Sequence, residues 1–272
     1  MSKPGSVETA TEFTSQLFEL VEAALNSGFS TALLGAFFGA LAANYFAIRS
    51  ETKSRLTTQL LACNEATSYS IAVFQHSLNM KRQFVVPLIA QFQEDKVRFE
   101  EQIASHATGK DIQPSQFDLD FFNYSTFTHN AEKIEQIVCS NGIVVDQTIT
   151  ATSFLVQSLQ NLDTSFEERS KQLSFLEGLK KEESPVVVIS RYFGVSLDDR
   201  VVDTRLADSI GNMSDSLDDA IFYSKYIAER TSKRSQELAK QIGKASPQPL
   251  LFSFDDNEFG HLVPTSDNFP TF

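Results

Sequence analysis

From residue 56 onward, apolar side chains recur every three or four positions, the spacing of one face of an α-helix. Leu56, Leu60, Cys63, Thr67, Ile71, Phe74 and Leu78 keep that spacing in a stretch with neither Gly nor Pro, until Pro87, which is expected to bend or stop the helix. Leu88, Phe92, Phe99 and Ile103 resume it through about residue 105, and a second helix is expected to end near Asn141-Gly142. The longest regular stripe, over 143 to 180, runs through Val145, Thr148, Thr152, Leu155, Leu159, Leu162, Phe166, Leu173 and Leu176 and is interrupted only by Arg169. Ser184-Pro185 supplies a cap and first position, and Gly194 a stop, around "VVVISRYF"; residues 186 to 189 alternatively read as an isolated strand. Ser196 with Asp199 resembles a helix start box, from which Leu206, Ile210, Met213, Leu217, Ala220, Ile227 and Leu238 predict a helix to about Gly243. Together these elements predict an all-α fold, an elongated antiparallel helical bundle with coiled-coil-like faces over 49 to 243.

Two ends of the chain depart from that texture. Residues 244 to 272 carry four prolines and five phenylalanines, Phe252, Phe254, Phe259, Phe269 and Phe272, set among acidic residues without helical period. A disordered, flexible tail is expected there. Its aromatic and acidic alternation suits a segment that docks into a groove, either on this chain's own helices or on a partner protein.

At the other end, 21 residues from Gly28 to Ile48 carry no charge. A helix of that length spans roughly 30 Å, the thickness of a bilayer's hydrocarbon core. A single transmembrane helix over 29 to 48 is therefore expected, with the lipid bilayer as its surroundings. Basic residues set the orientation: Lys3 alone precedes the span, whereas Arg49, Lys53 and Arg55 follow it at once, so the N-terminus is expected outside and the helical domain in the cytoplasm. A signal peptide cut after Ala42 fits poorly, because the region before it is long and acidic. A buried helix of a soluble protein would rarely be apolar on every face. Within the span Gly35, Gly39 and Ala43 recur every four residues, a spacing that lets two helices approach closely and predicts a homo-oligomer. Residues 7 to 26 pattern as a short acidic amphipathic helix within the N-terminal segment 1 to 28.

Charge and motifs narrow the function. Thirty-five acidic against 23 basic residues give a formal charge of -12, which excludes nonspecific attraction to nucleic acid. Cys63 and Cys139 lie far apart in apolar helical contexts and read as small core residues of a reducing compartment. There is no phosphate-cradling glycine loop, no paired-His zinc motif and no hydrolase elbow, and His76, His106, His129 and His261 fall on different elements. The densest carboxylate group is Asp198, Asp199, Asp203, Asp208, Asp215, Asp218 and Asp219, with Arg200 and Arg205 interleaved; it reads as a solvated face with local ion pairs rather than a metal site. Arg169 and Tyr192 read as buried polar contacts. No cofactor and no catalysis are expected. The pattern predicts a membrane-anchored scaffold or adaptor that oligomerises and recruits a cytoplasmic protein. The competing reading is an oligomeric, pore-forming effector triggered through the helical domain.

Overall fold

A computed structural model describes residues 19, 22, 28–106, 114, 117, 119–122, 130–140, 146–197, 202–244, 246–254 and 259–269. Among these residues the secondary structure is entirely helical, without a strand. The expected amphipathic helix over 7 to 26 lies outside the described residues, apart from Glu19 and Glu22. The chain divides into two compact units, Met1–Leu56 and Thr57–Phe272.

Helix α1, Gly28–Met80, has 53 residues. Its described part in the first unit is exposed at every residue from 31 to 55, including Leu33, Phe37, Phe38, Leu41 and Phe46. Local contacts there include the edge-on pairs Phe37 with Phe38 and Tyr45 with Phe46.

The second unit begins with the remainder of α1, where Leu60, Cys63, Thr67, Phe74 and Leu78 are buried as their spacing predicts. Pro87 neither stops nor shortens this helical run. Instead the helix widens to a π-turn over Lys81–Val85, in which the Val86 N–H reaches back five residues to the Lys81 carbonyl, and helix α2, Val86–His106, follows directly. Proline brings no N–H and its ring crowds the preceding turn, so a wider turn just before it lets the helix pass.

Helices α3 (Ala131–Ser140), α4 (Asp146–Leu179), α5 (Pro185–Phe193) and α6 (Arg205–Ile242) complete the unit. Residues 186 to 189 are helical, which removes the strand alternative. Pro185 opens α5 and Gly194, at φ 66°, closes it in the left-handed conformation that favours glycine. A side chain at 194 would also crowd the Asp203 carbonyl, 3.3 Å from where its Cβ would stand. The connector after Gly194 must therefore fold back against the end of α5, and α6 starts at Arg205 rather than at the Ser196 start box. Asp203 receives both arms of the Arg205 guanidinium, at 2.9 and 2.7 Å, and Thr204 donates to the Asp208 carboxylate at 2.8 Å, which fixes that later start.

Helices α4 and α6 pack against each other along an extended interface. Phe154 stacks on Tyr223 and Ser158 meets Asp219, pairings that run in opposite directions along the two helices. The stripe read along α4 is buried from Thr148 to Leu176, and that of α6 from Leu206 to Leu238. A second core, Phe92, Phe99, Phe117, Tyr192 and Phe193, ties α2 to α5 through aromatic contacts. Cys63 is buried, as expected, and burial pushes its thiol up to about 12. Cys139 is exposed, contrary to expectation, because the buried face of α3 is Ala131, Ile134, Ile137 and Val138 and the turn carries position 139 off it.

The C-terminal segment departs from the expected disordered tail and takes the other course read from its composition, docking on this chain's own helices. Over 246–254 and 259–269 it lies packed on α1 and α6 rather than forming a disordered tail. Gly243, at φ 81°, ends α6, and the Ser246 N–H bonds the Gly243 carbonyl at 2.9 Å, so the chain turns at once. Pro247 and Pro249 then hold their own backbone extended and bias Ser246 and Gln248 the same way. Over residues 246 to 249 less conformational freedom therefore remains to be lost on docking.

Candidate functional site

The groove that takes the C-terminal segment is formed by the second-unit part of α1 and by α6, which meet through the Thr67 and Thr231 hydroxyls at 2.8 Å. An extended chain needs hydrogen-bond partners for its backbone, and the backbone of a helix is already satisfied internally. Two side chains supply them. The Asn64 carboxamide donates to the Gln248 carbonyl at 2.9 Å and accepts the Leu250 N–H at 2.8 Å. Ser232 donates to the Leu250 carbonyl at 3.0 Å and accepts the Phe252 N–H at 3.0 Å. The segment is thus held as a neighbouring strand would hold it, by alternating donors and acceptors.

Two residues apart on an extended chain, Phe252 and Phe254 face the same way. Both meet Phe74 edge-on, with ring centroids at 5.9 and 5.0 Å. Leu262 joins Phe74, Leu78 and Ile221 in one buried cluster, against which Phe259 also packs. Phe269 lies flat on Phe222 at 3.7 Å. Cations rim the groove: Lys225 lies 5.0 Å from the Phe254 ring centre and Arg82 lies 5.5 Å from that of Phe259. Lys81 donates to the Leu262 carbonyl at 2.9 Å and pairs with Asp218. Lys81 and Arg82 both sit on the π-turn, so the local widening before Pro87 aims two cations at the docked segment.

Of the phenylalanines singled out in the tail, Phe252, Phe254, Phe259 and Phe269 therefore share one surface of this chain, while Phe272 lies outside the described residues. Sequence reading missed the residues that receive them, above all Asn64 and Ser232. A polar side chain one position beyond the buried Cys63 was the available signal for Asn64. Ser232 is hidden among the many buried hydroxyls of α6.

In the first unit, Gly35, Gly39 and Ala43 are exposed, and a side chain at either glycine would meet nothing within 4 Å. Arg49, Lys53 and Arg55 are likewise exposed. Helix α1 is the one helix among the described residues that is long and apolar enough to cross a membrane.

The remaining candidates have structural explanations. Arg169, 1% exposed, donates to the Phe122 carbonyl at 2.6 Å and to the Asp120 carbonyl and carboxylate at 3.1 and 3.0 Å. Tyr192 donates to the same Asp120 carbonyl at 3.4 Å, and burial pushes its hydroxyl up to about 12. The two residues thus pin one connector to the core. The acidic group is dispersed among separate partners: Asp203 with Arg205, Asp208 with Thr204, Asp218 with Lys81, Asp219 with Ser158. Asp198, Asp199 and Arg200 lie outside the described residues. Among the described residues no three His, Cys, Asp or Glu side chains converge as a metal site would require. No family model, curated protein or solved structure matches this chain.

Proposed function

We propose that this chain is a membrane-anchored helical scaffold or adaptor: residues 29 to 48 cross a bilayer once, and the helical domain recruits a protein partner in the cytoplasm. Copies associate in the membrane through the face of Gly35, Gly39 and Ala43. The protein acts by position and contact rather than by chemistry. Anchoring confines it to a surface, and association multiplies weak contacts, so that recruitment gains avidity without any single strong interface.

The observation that carries this reading is the exposure of an uncharged helix on every side. Leu33, Leu34, Phe37, Phe38, Leu41, Tyr45, Phe46 and Ile48 are each between 49% and 65% exposed. At about 1.5–3 kcal/mol for full burial of each such side chain, water contact forgoes on the order of 10 kcal/mol that lipid would recover. Arg49, Lys53 and Arg55 support the orientation.

Flotation of the full chain with vesicles after detergent-free lysis tests the anchor, and protection from added protease tests the sidedness. The chain is expected to float, and Phe37→Arg, which places a charge near mid-span at a cost of about 2.5–3.5 kcal/mol, is expected to reduce the floating fraction. A chain that stays in the soluble fraction overturns the proposal.

A further inference from the structure

We propose that the groove between α1 and α6 is a docking site for an extended partner peptide carrying aromatic side chains two residues apart beside acidic ones, and that the C-terminal segment, through residues 246–254 and 259–269, occupies it as a built-in competitor. This names the recruiting surface of the proposed scaffold and rests on the recruiting half of that reading, not on the anchor.

Three features of the groove point this way. First, Asn64 and Ser232 bind only main-chain atoms of Gln248, Leu250 and Phe252, so the ladder accepts any extended segment that keeps those N–H and C=O groups. Second, selectivity comes from what surrounds the ladder. Phe74 takes two rings, while Lys225 meets the Phe254 ring, Arg82 the Phe259 ring and Lys81 the Leu262 carbonyl. The resident segment matches this rim in composition, since Asp255, Asp256 and Glu258 fall between Phe254 and Phe259. Third, open space remains beside the described part of the resident segment. An open-sided cavity of about 330 Å³ remains between segment and helix, lined by Phe74, Leu78, Arg82, Phe252, Phe254 and Phe259. Protein interiors are close-packed, and side chains facing a gap lose contacts, so a peptide with a larger ring at this point would pack better than the tail does.

A tethered competitor imposes a threshold. A segment joined through the turn at Gly243 is present at an effective concentration near the millimolar range, so an outside peptide competes only if it binds well or arrives in many linked copies. Where copies of this chain associate, a partner carrying several such segments meets several grooves at once. Recruitment then depends on assembly, with the groove closed in isolated chains.

The test uses the full chain in lipid nanodiscs and a fluorescent peptide of residues 246 to 269. Wild-type chain is expected to bind the peptide weakly. The double substitution Phe252→Ala, Phe254→Ala, which loosens the tethered segment, is expected to strengthen binding at least about tenfold. Adding Asn64→Ala and Ser232→Ala is expected to abolish the gain. Circular dichroism at wild-type helicity qualifies each variant. Where the combined variant does not fold, Asn64→Asp replaces it, because it keeps the acceptor for the Leu250 N–H and loses the donor to the Gln248 carbonyl. A peptide with its residues scrambled, equal in charge, is expected not to bind. Equal binding to wild-type and loosened chains overturns the proposal, as does binding that ignores Asn64 and Ser232 or is matched by the scrambled peptide. A chain that fails to float with vesicles but passes this test, repeated in detergent, loses the anchor and keeps the latch; the reverse result loses the latch alone.

Discussion

Helix α1 contains two stretches of similar length that meet opposite fates. Residues 31 to 55 begin with an apolar run that has no polar face, and every one of them is exposed. Residues 56 to 80 alternate apolar and polar positions, and Leu60, Cys63, Thr67, Phe74 and Leu78 are buried while the polar positions Glu65, Gln75 and His76 are exposed. One stretch is the more hydrophobic, the other the better packed. The difference teaches that burial within a folded unit tracks the arrangement of apolar residues more closely than their number. A stripe can be covered by one neighbouring helix, whereas a helix apolar all round needs neighbours on every side, or lipid.

The sharpest way to break the comparison is to make the same truncation in both regions. Leu60→Ala on α1, at 0% exposure, is expected to destabilise the second unit by about 2–5 kcal/mol, because it removes a buried side chain and leaves a cavity. Phe37→Ala removes a larger side chain, but one 59% exposed, and is expected to leave the unfolding midpoint within about 0.5 kcal/mol of wild type. Chemical denaturation in detergent micelles, followed by circular dichroism, measures both. If the two truncations cost the same, residues 31 to 55 are packed against protein, and the contrast is lost.

Much of the helical domain was legible from spacing alone, and the failures share a cause. The stripes of α4 and α6 matched their buried residues because each helix keeps part of its circumference in solvent, so a three-or-four rhythm survives in the sequence. Rhythm marks helix interiors well and ends poorly. Pro87 reads as a bend or a stop because its cost to a regular helix is clear; the helical run does not stop there, because one π-turn absorbs the proline, and no pattern announces a π-turn. The start of α6 was read nine residues early because Ser196 and Asp199 have start-box chemistry, whereas the contact of Gly194 with Asp203 lies across a loop. The tail was read as disordered from composition, but its prolines stiffen an extended chain that a groove can hold. That groove was not legible at all. Asn64 and Phe252 are far apart in sequence, and a side chain that binds main-chain atoms imposes little on the sequence of its partner. The apolar run after Gly28 is the opposite case, local and complete within one helix.

A second test sharpens the exposed side of the comparison. Gly35 and Gly39 have open space where a side chain would go, so Gly35→Leu with Gly39→Leu is expected to leave helicity and flotation unchanged. In a bilayer the same change thickens the face of Gly35, Gly39 and Ala43 through which the proposed association would run. Energy transfer between donor- and acceptor-labelled chains in vesicles is expected to fall several-fold, whereas Leu33→Ala, beside that face, leaves it near the wild-type level. Unchanged transfer in the double variant removes this face from the assembly and leaves the anchor standing.

The smallest effect lies on the packed side, at Asp219. Its half-buried carboxyl is pushed above the ordinary carboxylate range, first by burial and then by the charges of Asp215 and Asp218, against the opposing hydrogen bond from Ser158. A carboxyl whose folded pKa is raised holds its proton more tightly in the folded chain than in the unfolded one. Stability is therefore lost as pH rises from the unfolded value, about 3.9, through the raised folded value, and stays reduced above it. Asp219→Asn removes that penalty while keeping a polar group beside Ser158. It is expected to raise the melting midpoint at pH 7 by about 1–3 °C, with the gain shrinking towards zero below pH 4. Thermal scans across that range measure it. A variant less stable than wild type at pH 7 would mean that the ionised carboxylate stabilises the α4/α6 interface, and that this charge belongs among the contacts holding the packed half together.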